Sequence, residues 1–118
     1  MTVQECYTQL GGDYEDVKAR FLNDEKIKRF LSLFLEDEHF DGLCQAMKEE
    51  NYQLAFENVH TLKGVCANLS LNMLLEQAKE LTELLRPGTG SAQAHESLAR
   101  VTAAYEQTRK AIEQLQDE

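Results

Sequence analysis

The sequence predicts an all-α protein: an antiparallel four-helix bundle in up-down-up-down order, with short extra helices at the N-terminus. Three observations predict this fold. Apolar residues recur at the three- and four-residue spacing of amphipathic helices along most of the chain, and no segment shows the alternation of a strand. The single proline, Pro87, lies in the clearest loop. Amphipathic helices joined by short connections bury their apolar faces best against each other.

Two short helices are predicted within residues 1–23. Gly11-Gly12 ends the first helix, and Asp13 can cap a second one of about two turns. Their apolar positions are Val3, Cys6, Tyr7 and Leu10, then Tyr14, Val17 and Phe21.

The bundle is predicted over residues 24–116, with Asn23 as the N-cap of its first helix. The apolar stripes on either side of residues 36–40 are out of phase by about two residues at the helical period. We therefore expect a bend or break there. The stripes are Ile27, Phe30, Leu31, Phe34 and Leu35, then Phe40, Leu43, Cys44 and Met47.

Three further helices complete the predicted bundle. They cover Asn51 to about Leu69, Leu71 to Leu85 (beginning at Ser70 or Asn72), and residues 91–116 after a loop at residues 87–91. The last helix has the near-heptad apolar spacing that suits long antiparallel packing.

Composition bounds the class of protein. The 118 residues suit one domain spanning 1–118, and 42% apolar with 28% charged residues is ordinary for a soluble globular chain. No apolar run approaches the ~20 residues of a membrane span. No signal peptide is expected, so we predict a cytoplasmic protein. We also expect the protein to be a monomer. The net charge of −9 argues against nucleic-acid binding. The three cysteines, on apolar stripes, are predicted to be buried reduced thiols.

The helix that begins at Asn51 carries the candidate site. Its apolar residues fall within one narrow sector, which must face the core. His60 lies about 140° from the centre of that sector, so its side chain should point to solvent. The core positions are Asn51, Ala55, Val59, Leu62, Cys66 and Leu69, and the residues on or bordering the outer face are Gln53, Phe56, Glu57, Lys63, Gly64 and Ala67.

The outer face has three unusual features. Gly64 costs about 1 kcal/mol relative to alanine inside a helix, Phe56 is an aromatic one turn before His60, and Lys63 follows His60 by three residues. An exposed imidazole beside a cation and a glycine suits phosphoryl transfer, which depends mainly on positioning and charge stabilisation. Glu57 is a candidate to hold the second ring nitrogen. Alternatively, Gly64 permits tight helix packing and Phe56 fills a groove of the bundle.

The residues His60-Thr61-Leu62-Lys63-Gly64, followed by Asn68-Leu69, resemble the signature of histidine-containing phosphotransfer (HPt) domains of phosphorelays. The resemblance is good from about Asp24 to Arg86. It implies that His60 accepts a phosphoryl group, that Lys63 stabilises the phosphate and that Gly64 leaves room for the partner. Where the family often has glycine at the end of the motif, this chain has Ser70. Ala67 stands where a glycine or serine is common.

The resemblance also implies the partners of the chain. They are response-regulator receiver domains, a hybrid sensor kinase, or both, and Phe56, Glu57, Gly64 and Ala67 would lie at that contact. No cofactor is expected to be bound, because the receiver domain would supply Mg²⁺, and no independent kinase activity is expected. Some family members place a glutamine on the adjacent helix against the phosphate. The candidates for an equivalent residue here are Gln77, Lys79, Glu80 and Thr82.

Two alternatives use the same residues differently. A helical adaptor would bind a receiver or another signalling protein without phosphorylation, but such family members typically lack the histidine. A metal site would need His39, His60 and His95 to converge, and Glu36 and Glu57 stand at E-x-x-H spacing before His39 and His60. Because His60 is predicted to face outward, we predict no metal site.

Overall fold

The computed structural model describes residues 1–117, which are almost entirely helical. It contains no strand within this range, and the all-α prediction is confirmed. None of the helices formed by residues 1–117 combines the length and the apolarity needed to cross a membrane. The helices are α1 (Val3–Leu10), α2 (Tyr14–Phe21), α3 (Asp24–Phe34), α4 (His39–Lys48), α5 (Tyr52–Asn68), α6 (Asn72–Leu85) and α7 (Ala92–Gln116).

Helices α3 and α4 together form the first, interrupted helix of the bundle and run antiparallel to α7. At one end, the Gln116 side chain of α7 donates a hydrogen bond to the Lys28 carbonyl of α3 (3.0 Å). Midway along α7, the Tyr105 ring lies 5.8 Å from Phe34 and stacks on Phe40 at 3.9 Å, on the two sides of the interruption. The predicted break near residues 36–40 is therefore confirmed.

The remaining helices follow in alternating directions. Helix α4 packs against α5, α5 against α6 and α6 against α7, each pair joined by a short connection. At the start of both α5 and α7, the Tyr52 hydroxyl lies 3.2 Å from the His95 ring, so these two helices run parallel across the bundle. This arrangement is the predicted up-down-up-down order.

One apolar core includes residues from every helix and extends from Val3 to Leu115. Cys6 and Cys66 are buried in it, and Cys44 is half-buried rather than buried as predicted. All three thiols are free. Burial raises the pKa of Cys6 to about 11 and that of Cys66 to about 12, which disfavours the reactive thiolate form.

The connection between α5 and α6 leads into α6 at Asn72, one of the two starting residues predicted. Leu71 occupies the N-cap position and supplies no side-chain hydrogen bond. Ser70 is buried and has a φ of 55°, in the left-handed region that favours glycine. This backbone conformation explains why glycine suits the position at the end of the motif.

The Ser70 side chain instead joins this connection to α2. Its hydroxyl donates to Asp16 (2.6 Å) and accepts from Arg20 (3.1 Å). Arg20 also donates to the Asn68 carbonyl (2.7 Å), and the Tyr7 hydroxyl donates to the Leu69 carbonyl (2.7 Å). The two N-terminal helices therefore satisfy carbonyl groups that the end of α5 leaves without helical partners.

Two substitutions separate the stabilising hydrogen bonds of the Ser70 side chain from the cost of its left-handed backbone. Ser70→Ala should lower the free energy of unfolding by about 1–2 kcal/mol, because it removes the bonds to Asp16 and Arg20 and keeps the unfavourable φ. Ser70→Gly loses the same bonds but should be about 1 kcal/mol more stable than Ser70→Ala, since glycine tolerates that φ. Urea denaturation measures both, and equal stability of the two variants would contradict the backbone argument.

Candidate functional site

His60 lies on the solvent-facing side of α5, as predicted. The opposite side of the helix is buried, with Ala55, Val59, Leu62 and Cys66 fully inaccessible to solvent. The His60 side chain is exposed. The apolar stripe therefore fixes the direction in which the imidazole points.

The Phe56 ring stacks on the His60 imidazole. The two ring centroids are 5.7 Å apart and the planes are inclined by 15°. Phe56 is half-buried and also packs against the apolar core, so the predicted groove packing is present together with a contact to the histidine. The stack uses the one-turn spacing of the two residues on the helix.

Lys63 borders the same face, one turn beyond His60. Its side chain is half-buried and its charge acts on Glu83 of α6. The pKa of Glu83 is lowered, first by hydrogen bonds from Arg86 and to a smaller extent by the charge of Lys63. The Lys63 charge therefore lies near enough to α6 to act on Glu83, and it stands one helical turn from His60.

The surface beyond His60 is open. Gly64 and Ala67 are exposed, and a Cβ atom added to Gly64 would meet no atom of residues 1–117 within 4 Å other than its chain neighbours and the backbone of α5. Gly64 therefore does not serve tight helix packing within this chain. The small residues leave a shallow, accessible strip of helix next to the imidazole.

The carboxylate of Glu57 does not hold the His60 ring. Glu57 is exposed, and its backbone carbonyl accepts a hydrogen bond from the Thr61 hydroxyl (3.1 Å). Among residues 1–117 no hydrogen bond joins the Glu57 side chain to His60. The expected contact at i−3 is absent among these residues, and the His60 ring stacks on the aromatic ring at i−4 instead.

Two further charged residues belong to the site: Glu83 in α6 and Arg86, directly after its last residue. Neither of them was singled out from the sequence. Arg86 donates two hydrogen bonds to Glu83, at 2.6 and 3.1 Å, and its guanidinium lies 5.3 Å from the centroid of Phe56. The α6 candidates named from the sequence end at Thr82, and Arg86 lies one helical turn beyond it. Its contact with Phe56 depends on side-chain reach that spacing does not show.

Of the four α6 candidates named from the sequence, two are engaged elsewhere. Thr82 is buried and donates a hydrogen bond within α6, and Glu80 accepts one from Arg100 of α7 (2.9 Å). Lys79 is exposed. Gln77 is half-buried, and its buried Oε1 has no hydrogen-bond partner within the described part of the chain. None of the four makes a hydrogen bond to His60 there.

The three histidines occupy separate surroundings. The His39 ring contacts Asp37 (3.0 Å) at the start of α4, and the His95 ring contacts Tyr52, whereas His60 stacks on Phe56 as described. Residues 1–117 contain no group of three or more His, Cys, Asp or Glu side chains arranged to hold a metal ion.

In a comparison with protein-family models, residues 29–118 match the family described as Hpt domain. The matched range begins within α3 and includes every residue of the site described above. Comparison with curated proteins finds no match. Comparison with solved structures finds none either.

The open surface at Gly64 predicts the effect of adding a side chain there. Gly64→Ala should raise the free energy of unfolding by about 0.5–1 kcal/mol, because helix propensity improves and no contact is violated. Gly42→Ala in α4 is the matched control: its Cβ would lie 2.6 Å from Asn58 Oδ1, so the gain should shrink or be lost. Urea denaturation compares them, and a loss of stability for Gly64→Ala would contradict the geometry.

Proposed function

The chain belongs to the Hpt domain family, and on that basis we propose that His60 carries a phosphoryl group between the aspartates of receiver domains. Hpt domains are histidine phosphotransfer modules of two-component signalling and act as phosphocarriers rather than kinases. The observation that supports the assignment to His60 is its exposure on α5 beside Lys63 and the open strip at Gly64.

The transfer proposed for His60 is a displacement at phosphorus. An unprotonated imidazole nitrogen attacks the phosphorus of an aspartyl phosphate, a P–N bond forms, and the P–O bond to the aspartate breaks. The freed aspartate leaves as a carboxylate. The same displacement in reverse passes the phosphoryl group from His60 to the aspartate of the next receiver domain.

Lys63 is proposed to stabilise the negative charge of the phosphoryl group. An ammonium one helical turn from the acceptor can approach the phosphoryl oxygens as a mobile point charge. Interactions that neutralise charge during the transfer supply most of the catalysis that this chemistry requires. Its neighbour Glu83 is already bonded to Arg86, so Lys63 remains available to an incoming anion.

The Mg²⁺ needed for transfer is proposed to come from the receiver domain, as the family resemblance implies. Mg²⁺ is bound by carboxylates and other oxygen ligands. The face beside His60 carries the cations Lys63 and Arg86, and Glu83 is paired with one of them. This combination suits a phosphate better than a divalent cation.

The receiver domain, free or within a hybrid sensor kinase, is proposed to dock on the strip around Gly64 and Ala67. An aspartyl phosphate sits in a site of its own domain, so the two backbones must approach closely for in-line transfer. Exposed small residues next to His60 permit that approach, and Phe56 and Glu57 border it. A monomeric state and a cytoplasmic location stay predictions.

Loss of the acceptor is the direct test. His60→Gln should abolish labelling of the chain by a phosphorylated receiver domain and leave helicity intact, because the exposed side chain supports no core contact. His95→Gln is the matched control and should be labelled like the wild type. Persistent labelling of His60→Gln would rule out His60 as the acceptor. A wild-type chain that binds receivers without being labelled would indicate an adaptor.

Removal of the Lys63 charge tests the proposed stabilisation of the phosphoryl group. Lys63→Ala should slow phosphoryl transfer by about ten- to a hundredfold, the effect of losing a charge-assisted contact. The unfolding midpoint should change little, and Lys110→Ala, which removes an exposed lysine of α7, should transfer normally. Rapid-quench measurement of the transfer rate of each variant tests this expectation. Transfer by Lys63→Ala at the wild-type rate would show that Lys63 does not stabilise the phosphoryl group.

A further inference from the structure

The Phe56 ring is shared by two contacts that connect α5 to the end of α6. It stacks on the His60 imidazole at 5.7 Å, and the Arg86 guanidinium lies 5.3 Å from its centroid. A guanidinium at this distance is attracted to the aromatic ring by the ring quadrupole. The position of the phenyl ring therefore depends on a residue that is distant from His60 in sequence.

The Arg86 guanidinium also forms an ion pair with the exposed carboxylate of Glu83. Arg86 Nη2 and Nε donate to the two carboxylate oxygens of Glu83, at 2.6 and 3.1 Å. A bidentate pair of this kind restricts a planar group far more than a single contact does. Glu83, Arg86 and Phe56 thus form a chain of contacts that ends on the imidazole.

The imidazole has no polar contact that could orient it instead. Within residues 1–117 neither ring nitrogen of His60 makes a hydrogen bond, and the side chain is exposed. The torsion that turns an imidazole about its Cβ–Cγ bond has broad minima, so a solvated histidine samples several ring orientations. Stacking on Phe56 restricts these orientations.

We propose that Phe56 and Arg86 are positioning residues for His60: Arg86, fixed by Glu83, holds the Phe56 ring, and Phe56 holds the imidazole in the orientation that receives the phosphoryl group. The effect on transfer rests on the function proposed above, whereas the effect on ring orientation does not. A reaction that needs in-line attack is sensitive to the direction of the attacking nitrogen.

NMR of the intact, unphosphorylated chain tests the orientation. Phe56→Leu should move the His60 Hδ2 and Hε1 resonances toward the values of a free histidine, because the ring current of the phenyl group is lost. Phe56→Tyr should preserve the shifts. Arg86→Met should move them part of the way, and Arg100→Met, which breaks the exposed ion pair with Glu80, should leave them in place. Unchanged His60 shifts in Phe56→Leu would overturn the proposal.

Phosphoramidate, a small donor that needs no docking surface, tests the effect on reactivity. His60 displaces ammonia from it, so that one P–N bond breaks and another forms. Phe56→Leu should react about fivefold more slowly, in keeping with the loss of an exposed aromatic contact, and Phe56→Tyr should recover most of the rate. Phe21→Leu, at a half-buried phenylalanine of α2, is the control and should react normally.

A double substitution decides whether Arg86 acts through Phe56. If it does, Arg86→Met should slow the reaction in the wild-type background and have no further effect in Phe56→Leu. Additive effects would overturn the positioning role of Arg86 and indicate that it acts on the phosphoryl group directly. If phosphoramidate does not label His60 of the wild type, the proposed function fails, and the NMR comparison still decides the orientation.

Discussion

The site depends on the burial of one face of α5. Four side chains on this helix, at positions 55, 59, 62 and 66, have no exposed surface. Because burying apolar surface is favourable, each of them stabilises the rotation of α5 that keeps this face in the core. Rotating the helix to hide His60 would expose all four. The hydrophobic core thus holds His60 at the surface, and the neighbouring turns bring Phe56 and Lys63 to the same side.

The pairing of α5 with α6 supplies the second half of the site. Their connection bends sharply at Ser70, whose left-handed backbone is accepted because its side chain bonds to α2 and its carbonyl accepts from the Asp13 N–H. This turn sets the register between the two helices. The register in turn places Glu83 and Arg86 opposite the turn of α5 that carries Phe56. Residues outside the phosphotransfer motif therefore fix the surroundings of His60.

Features that repeat along a helix were predictable from the sequence. The core face of α5 and the break between α3 and α4 depend on local spacing, and the structure confirms both. Asn51 is a correction, because this residue, predicted on the core face, is exposed and caps the start of α5 with its side chain. The exposed positions of His60 and Gly64 follow from the same periodicity. The functional roles of these residues, by contrast, came from the family resemblance.

Contacts between helices were not predictable in the same way. Arg86 reaches Phe56 through a long side chain whose conformation is set by Glu83, and spacing along one helix contains no information on that reach. The Ser70 side chain bonds to Asp16 and Arg20 of α2, which are 54 and 50 residues away in sequence, and local spacing does not indicate such partners. Glu57 had the spacing to hold His60, but spacing alone does not decide between it and the ring at position 56.

The most direct test of the account is to locate the phosphoryl group on the wild-type chain. After incubation with a phosphorylated receiver domain, peptides are mapped by mass spectrometry at neutral to alkaline pH, where the three histidines can be distinguished. One phosphoryl group is expected, on the peptide that contains His60. Phosphorylation of His39 or His95 instead, or of no histidine in a chain that binds the receiver, would contradict it.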